Sequence, residues 1–228
     1  MAIGWVSALV VDVAAGEVGA AFTVPDAIYP QQGDLRRLVW GYLHPHLRYP
    51  APIMAACHSQ DGPLLLVDGD SKTLYPVVEA ADSGVYRVIV TGMPHSPVAF
   101  RQETAILWVV PQHRKVFLID AATYLDASAA RQAEYRGRLA EMRRRGEVAL
   151  FEAGSRDEFL AHRARLRRLH PSMPLLWTPR EVGDELATLN RAARPVKAQS
   201  VVVTDRPALA ARAASAGFAT ELIASDGE

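Results

Sequence analysis

Four short segments of the chain carry residues suited to holding an anion or a metal: Asp120, Gly154-Ser155, Thr178 and Thr204-Asp205. Each follows an apolar run, and the first and last end in a carboxylate. Ligands of open parallel sheets sit beyond the carboxyl ends of the strands, so these are the positions where chemistry is expected. Two bare carboxylates repel phosphate, so an anion at Asp120 and Asp205 needs magnesium to mask their charge. Ser155 pairs with Glu158 as a capping box, which accounts for it as a helix start. The same helix start exposes free N–H groups and the positive end of the dipole, an anion site in its own right, so the two readings hold together. Asp120 and Asp205 likewise have plainer readings, as strand-end or loop caps.

Other constellations are weaker. Asp68-Gly69-Asp70-Ser71-Lys72-Thr73 places two acids after an apolar strand, but another strand pattern follows, which is how a hairpin turn reads. His44 and His46 suit zinc only if Cys57, His58 or His95 completes the set, and none has a recognised zinc spacing. Residues 131–168 hold 11 arginines against six acids. That density suits a solvated helix face or an anionic partner or lipid surface. Aromatic residues are not interleaved with these arginines, which argues against RNA.

Composition sets the bounds. Half of the 228 residues are hydrophobic, 22% are charged, and 25 basic residues balance 25 acidic ones. A globular protein is expected, with no nucleic-acid partner and no charge-driven membrane binding. The single cysteine, Cys57, precludes an internal disulfide and fits a reducing compartment. Met1 to Val13 is apolar but lacks a basic leader region, and no transmembrane segment is apparent, so the expected location is the cytoplasm.

The elements that would position the candidate residues fall into two halves. Residues 1–112 read as a mostly-β, sandwich-like domain, with strands at 38–43, 63–67, 73–78, 85–90 and 104–110 separated by turns. Residues 1–34 give no clear element. Residues 113–228 alternate strand and helix: strands at 115–120, 148–151, 173–177, 200–204 and 218–223, helices at 129–145, 155–169 and 207–215. Thr178-Pro179-Arg180-Glu181 predicts another helix start, with Thr178 as cap. The alternation predicts an α/β domain with a five-stranded parallel sheet covered on both faces.

The strand-end residues resemble the motifs of the haloacid-dehalogenase superfamily, over residues 114–224. Its first motif is an apolar strand ending in Asp-x-Asp-x-Thr; here Val116-Phe117-Leu118-Ile119-Asp120 supplies the strand and nucleophile position. The acid position holds Ala122 and the Thr position holds Tyr124. Ser155 fits the second motif, Lys197 is the nearest candidate for the third, and Asp205 fits the fourth. The resemblance implies a phosphatase-like hydrolase in which Asp120 attacks phosphorus and Ser155 and Lys197 hold phosphate. Magnesium would lie between Asp120, the Ala122 carbonyl and Asp205. Without a carboxylate at 122 the leaving group has no evident proton donor, a group worth about 10²–10⁴-fold in rate. Phosphoryl chemistry is therefore expected to be weak or lost, in a pseudoenzyme-like protein. The alternative is a non-catalytic binding or assembly module that uses the β-rich half for a partner.

The two-part order is similar to that of App1-type phosphatidate phosphatases, as are Val24 to Pro30 and Val39-Trp40-Gly41-Tyr42. That similarity implies a phosphorylated small molecule or lipid as ligand. Numbered along the domain, strand order 5-4-1-2-3 fits the dehalogenase type, and 2-1-3-4-5 a receiver-type domain. The receiver type also needs an acidic pair near Asp120 and an acid near Trp177, and neither is present.

Overall fold

The structure is a computed structural model, and it describes residues 25–31, 53–59, 62–68, 73–76, 83–92 and 103–223. The chain divides into two compact units, Met1–Ala27 with Gln31–Val109, and Ile28–Pro30 with Val110–Glu228.

One six-stranded sheet contains β1 (Ala27–Pro30), β2 (Ile53–Ser59), β3 (Gly62–Asp68), β4 (Thr73–Pro76), β5 (Gly84–Gly92) and β6 (Glu103–Val110). Its order is β1-β6-β5-β2-β3-β4. The pairs from β6 through β4 are antiparallel. A sandwich-like arrangement was expected in this half; its described residues form this one sheet, which includes β2, a strand the sequence pattern did not reveal. The expected strand at 38–43, the histidines at 44, 46 and 95 and the first-half motifs at 24 and 39–42 lie outside the described residues. Asp26 is buried at 2% exposure, and its carboxylate accepts from the Ile106 N–H at 2.8 Å. A buried acid is tolerated where a backbone donor meets it.

The second sheet is built from β7 (Lys115–Asp120), β8 (Gly146–Gly154), β9 (Leu175–Pro179), β10 (Ser200–Thr204) and β11 (Ala219–Leu222), in the order β11-β10-β7-β8-β9. All four pairings are parallel. Numbered within the unit the order is 5-4-1-2-3. Val116, Phe117, Leu118 and Ile119 are all buried, so β7 is covered on both faces, which is why it reads as a continuous apolar run. The chain leaves β7 for β8 and β9, then crosses back to β10. The β7/β10 boundary is therefore where the winding reverses.

Helices α1 (Ala121–Leu125), α2 (Ala129–Arg145), α3 (Arg156–Leu169), α4 (Glu185–Ala192) and α5 (Pro207–Ser215) connect the strands, with a 3₁₀ segment, Arg194–Gln199, before β10. Ser128 caps α2 and Ser155 caps α3. Phe159 of α3 is fully buried and stacks on Trp177 with ring centroids 4.6 Å apart. Gly217, at φ 86°, closes α5: its N–H reaches the Ala214 carbonyl and the Phe218 N–H reaches that of Ala213. No helix among the described residues is long and apolar enough to cross a membrane.

The expected helix start at Thr178 is corrected. Thr178 and Pro179 are the last residues of β9, paired with Ala153 and Gly154. β9 is an edge strand, so the missing proline N–H opens no gap between strands. A turn follows, and Asp184 caps α4 by accepting from the Ala187 N–H at 3.1 Å.

The α2–β8 joint has no room for a side chain. A Cβ at Gly146 would lie 2.4 Å from the Lys115 carbonyl oxygen, on the neighbouring strand. Gly146→Ala is expected to lower stability by about 2 kcal/mol, the scale of forced overpacking. Urea denaturation checks this; an unchanged midpoint would show that the strands part freely there.

Candidate functional site at the strand ends

Asp120 ends β7 and begins α1. Its side chain is 1% exposed and serves as the helix N-cap, accepting from the Ala122 N–H at 3.2 Å. The Thr204 hydroxyl, on the adjacent strand β10, donates to it at 3.2 Å. The strongest partner is Arg206, whose Nε–H donates at 2.7 Å. Nη1 of the same guanidinium reaches Glu185 at 3.2 Å. Arg206 thus ties the end of β7 to the start of α4. Burial pushes the Asp120 carboxyl above the ordinary carboxylate range, although Arg206, Thr204 and the Ala122 N–H all pull it down.

Asp205, one residue beyond β10, reaches the same point. The Thr123 hydroxyl lies 2.7 Å from Asp205 and 3.3 Å from Asp120. A hydroxyl has one proton, and the shorter contact takes it, so Thr123 donates to Asp205. Arg131 of α2 forms an ion pair with Asp205 at 3.2 Å. The acids at 120 and 205 therefore converge where the winding reverses, the usual ligand crevice of such sheets. Each is met there by an arginine.

Ser155 lies beyond the carboxyl end of β8, on the same rim. Its hydroxyl accepts from the Glu158 N–H at 3.3 Å, while Glu158 accepts from the Ser155 N–H at 2.7 Å. Glu158 also takes Arg180 at 3.3 Å. No hydrogen bond among the described residues joins Ser155 to Asp120 or Asp205.

Lys197 is not brought to this site. It precedes β10, whose first residue, Ser200, pairs with Val116 near the start of β7. That is the opposite rim of the sheet from Asp120. Its ammonium hydrogen-bonds the Ala216 carbonyl at the end of α5 and lies over the Phe218 ring at 5.0 Å. A cation there complements the helix C-terminus.

Ala122 is exposed, and Tyr124 is buried and hydrogen-bonds His170 Nε2 at 2.7 Å. The hydroxyl that reaches the acids belongs to Thr123, one residue earlier than the motif alignment placed it. Thr123, Arg131, Arg206 and Glu185 are the site residues that sequence reasoning missed, whereas Thr204 was among the strand-end positions expected to matter. Arg206 had one signal, its position directly after the strand-end acid.

A second polar cluster lies on β8 and α3. Glu152 is 7% exposed; one of its oxygens takes His162 Nδ1 at 2.6 Å, and the other is buried without a hydrogen-bond partner. Asp126 lies 3.5 Å from His162 Nε2. Thr178 is buried, and its hydroxyl has no partner.

The three donors expected to hold magnesium are already engaged. Asp120 is paired with Arg206, Asp205 with Arg131, and the Ala122 carbonyl accepts from the Asp126 N–H at 3.2 Å. No group of three His, Cys, Asp or Glu side chains among the described residues is placed to share a metal ion. As arranged, this donor set does not fit magnesium: two guanidinium groups neutralise the charge that the ion would need. No protein-family model matches the chain, and no curated protein matches it either.

Proposed function

We propose that the α/β unit is a dehalogenase-type domain whose phosphoryl chemistry is lost, and that it serves as a binding or assembly module. The observation that carries this reading is the Asp120–Arg206 contact at 2.7 Å. A carboxylate whose Oδ2 takes a guanidinium and a threonine, and whose Oδ1 takes a backbone N–H, is a weakened nucleophile, because those donors stabilise the charge it would attack with. The methyl group of Ala122 offers no proton to a leaving group. Sheet order 5-4-1-2-3, with an acid at the ends of the first and fourth strands, supports descent from a phosphatase-like plan. The arginine partners support its conversion into an internally neutralised site. A phosphorylated small molecule or lipid remains the ligand class for which such a domain would have been built.

The test is hydrolysis of an aryl phosphate with magnesium, comparing wild type with Asp120→Asn. No Asp120-dependent turnover is expected. A rate that disappears in the variant would establish phosphoryl transfer and overturn the reading.

Magnesium provides a second check, because a ligand that binds only the folded state raises the melting temperature. Wild type is expected to show no magnesium-dependent shift. Arg206→Ala, which frees Asp120 and Glu185, is expected to gain one. A wild-type shift lost in Asp120→Asn would show that the ion displaces the arginine.

A further inference from the structure

We propose that His162 and Asp126 form a two-donor site for a divalent transition-metal ion of the zinc type, with Glu152 as the carboxylate behind the histidine. The site uses none of the groups around Asp120.

The three side chains come from three elements. Glu152 stands near the end of β8, His162 lies in the middle of α3, and Asp126 caps the end of α1. Oε2 of Glu152 lies 2.6 Å from His162 Nδ1, the short distance of a charge-assisted hydrogen bond. A carboxylate has no hydrogen to give, so Nδ1 carries it. That fixes the tautomer and leaves Nε2 as the nitrogen available to a ligand.

Nε2 lies 3.5 Å from Asp126 Oδ1. An N–H···O bond is expected at about 2.7–3.2 Å, so a proton spans this gap poorly. A metal spans it well. Nitrogen and oxygen ligands held at about 2.0–2.2 Å by a tetrahedral ion lie about 3.3–3.6 Å from each other. The contact is long for a hydrogen bond and right for two ligands of one ion.

The surroundings suit such an ion. A metal-bound histidine usually donates its second N–H to a carboxylate, which orients the ring and makes it more basic. Glu152 takes that part here. Its other oxygen is buried without a hydrogen-bond partner, so this acid gains from positive charge held on the ring it touches. Asp126 is 57% exposed, so water reaches the pair and completes the shell. Its place after the last turn of α1 is one that the helix dipole disfavours for an acid, so capping does not explain it.

The donor types set the class of ion. Imidazole beside a carboxylate suits zinc-like ions, whereas magnesium and calcium take oxygen ligands. Glu158, one turn before His162 on α3, is committed to the Ser155 N–H and Arg180. The site is therefore open, with two protein donors, and an ion in it ties the end of α1 to α3.

The experiment is a zinc titration of the full chain at neutral pH, read by long-range proton–nitrogen NMR of the histidine rings. His162→Gln assigns the His162 signals among the seven histidines. Zinc is expected to shift His162 Nε2 while Nδ1 keeps its hydrogen. Asp126→Asn, at an exposed position, keeps the fold and is expected to abolish that shift. Glu152→Gln is expected to weaken zinc binding by about 10-fold or more, the scale of losing the carboxylate behind a metal-bound histidine. Asp120→Asn is expected to leave the response intact.

A His162 ring that ignores zinc through the millimolar range overturns the proposal, and shows a histidine held between two acids by its proton alone. Zinc that moves only the other histidines overturns it too. So does a His162 shift that survives Asp126→Asn or requires Asp120.

Discussion

Asp120→Ala is expected to lower the stability of the α/β unit by about 3 kcal/mol, from loss of an N-cap and of a buried charged hydrogen bond. The cap holds the Ala122 N–H, and the buried Thr204 hydroxyl loses its acceptor. A fully buried ion pair broken on one side would cost more, about 3–5 kcal/mol. Arg206 is 41% exposed, however, and can rehydrate or keep Glu185, which moderates the loss. Asp120→Asn retains a capping oxygen and is expected to cost roughly half as much. Amide hydrogen exchange in β7, with urea denaturation alongside, reads the effect in this unit. A loss below about 1 kcal/mol for the alanine variant would mean that the network is not structural, and with it the argument for an internally neutralised site would fail.

The second large effect belongs to His162. His162→Ala strands Glu152, which is 7% exposed and already has one oxygen without a partner. A loss of about 3 kcal/mol is expected at neutral pH, the range for an uncompensated buried charge. Glu152→Gln removes that charge, so in its background the same substitution should cost clearly less. A coupling of about 2 kcal/mol would be typical of a contacting pair.

The pH dependence has a definite sign. The Glu152 hydrogen bond raises the His162 imidazole above its ordinary range; burial opposes this, and the charges of Glu152, Asp126 and Glu158 assist it. A group whose folded value is raised stabilises fully below its unfolded value, about 6.5 for histidine. That contribution fades as pH rises through the folded value. Wild type should therefore lose stability across the interval above about pH 6.5, and His162→Ala should lack that slope. Equal slopes in the two proteins would place the charge of His162 outside the stability of the fold.

Much of the α/β unit was legible in the chain, and particular residues show why. Gly146 ends α2, and Ser155 with Glu158 starts α3, because caps act over three or four residues. The run Val116–Ile119 announced a strand buried on both faces. The error at Thr178-Pro179 has the opposite cause. Those residues have the chemistry of a cap, but pairing with Ala153 and Gly154 holds them in β9, and no local pattern contains that partner.

The site divides along the same line. By itself the sequence determined that acids stand at the ends of two apolar strands, at 120 and 205, and that no acid stands at 122. Local order suffices for that, since a strand delivers the residue that follows it to the rim. Only the tertiary structure decided that Thr123 donates to Asp205 while lying 3.3 Å from Asp120, and that Arg206 and Arg131 neutralise the two acids. It also sent Lys197 to the opposite rim. The partners of these charges are separated by as many as 86 residues, and ion pairing depends on distance in space. The strand order that closes those separations is fixed by packing the whole sheet.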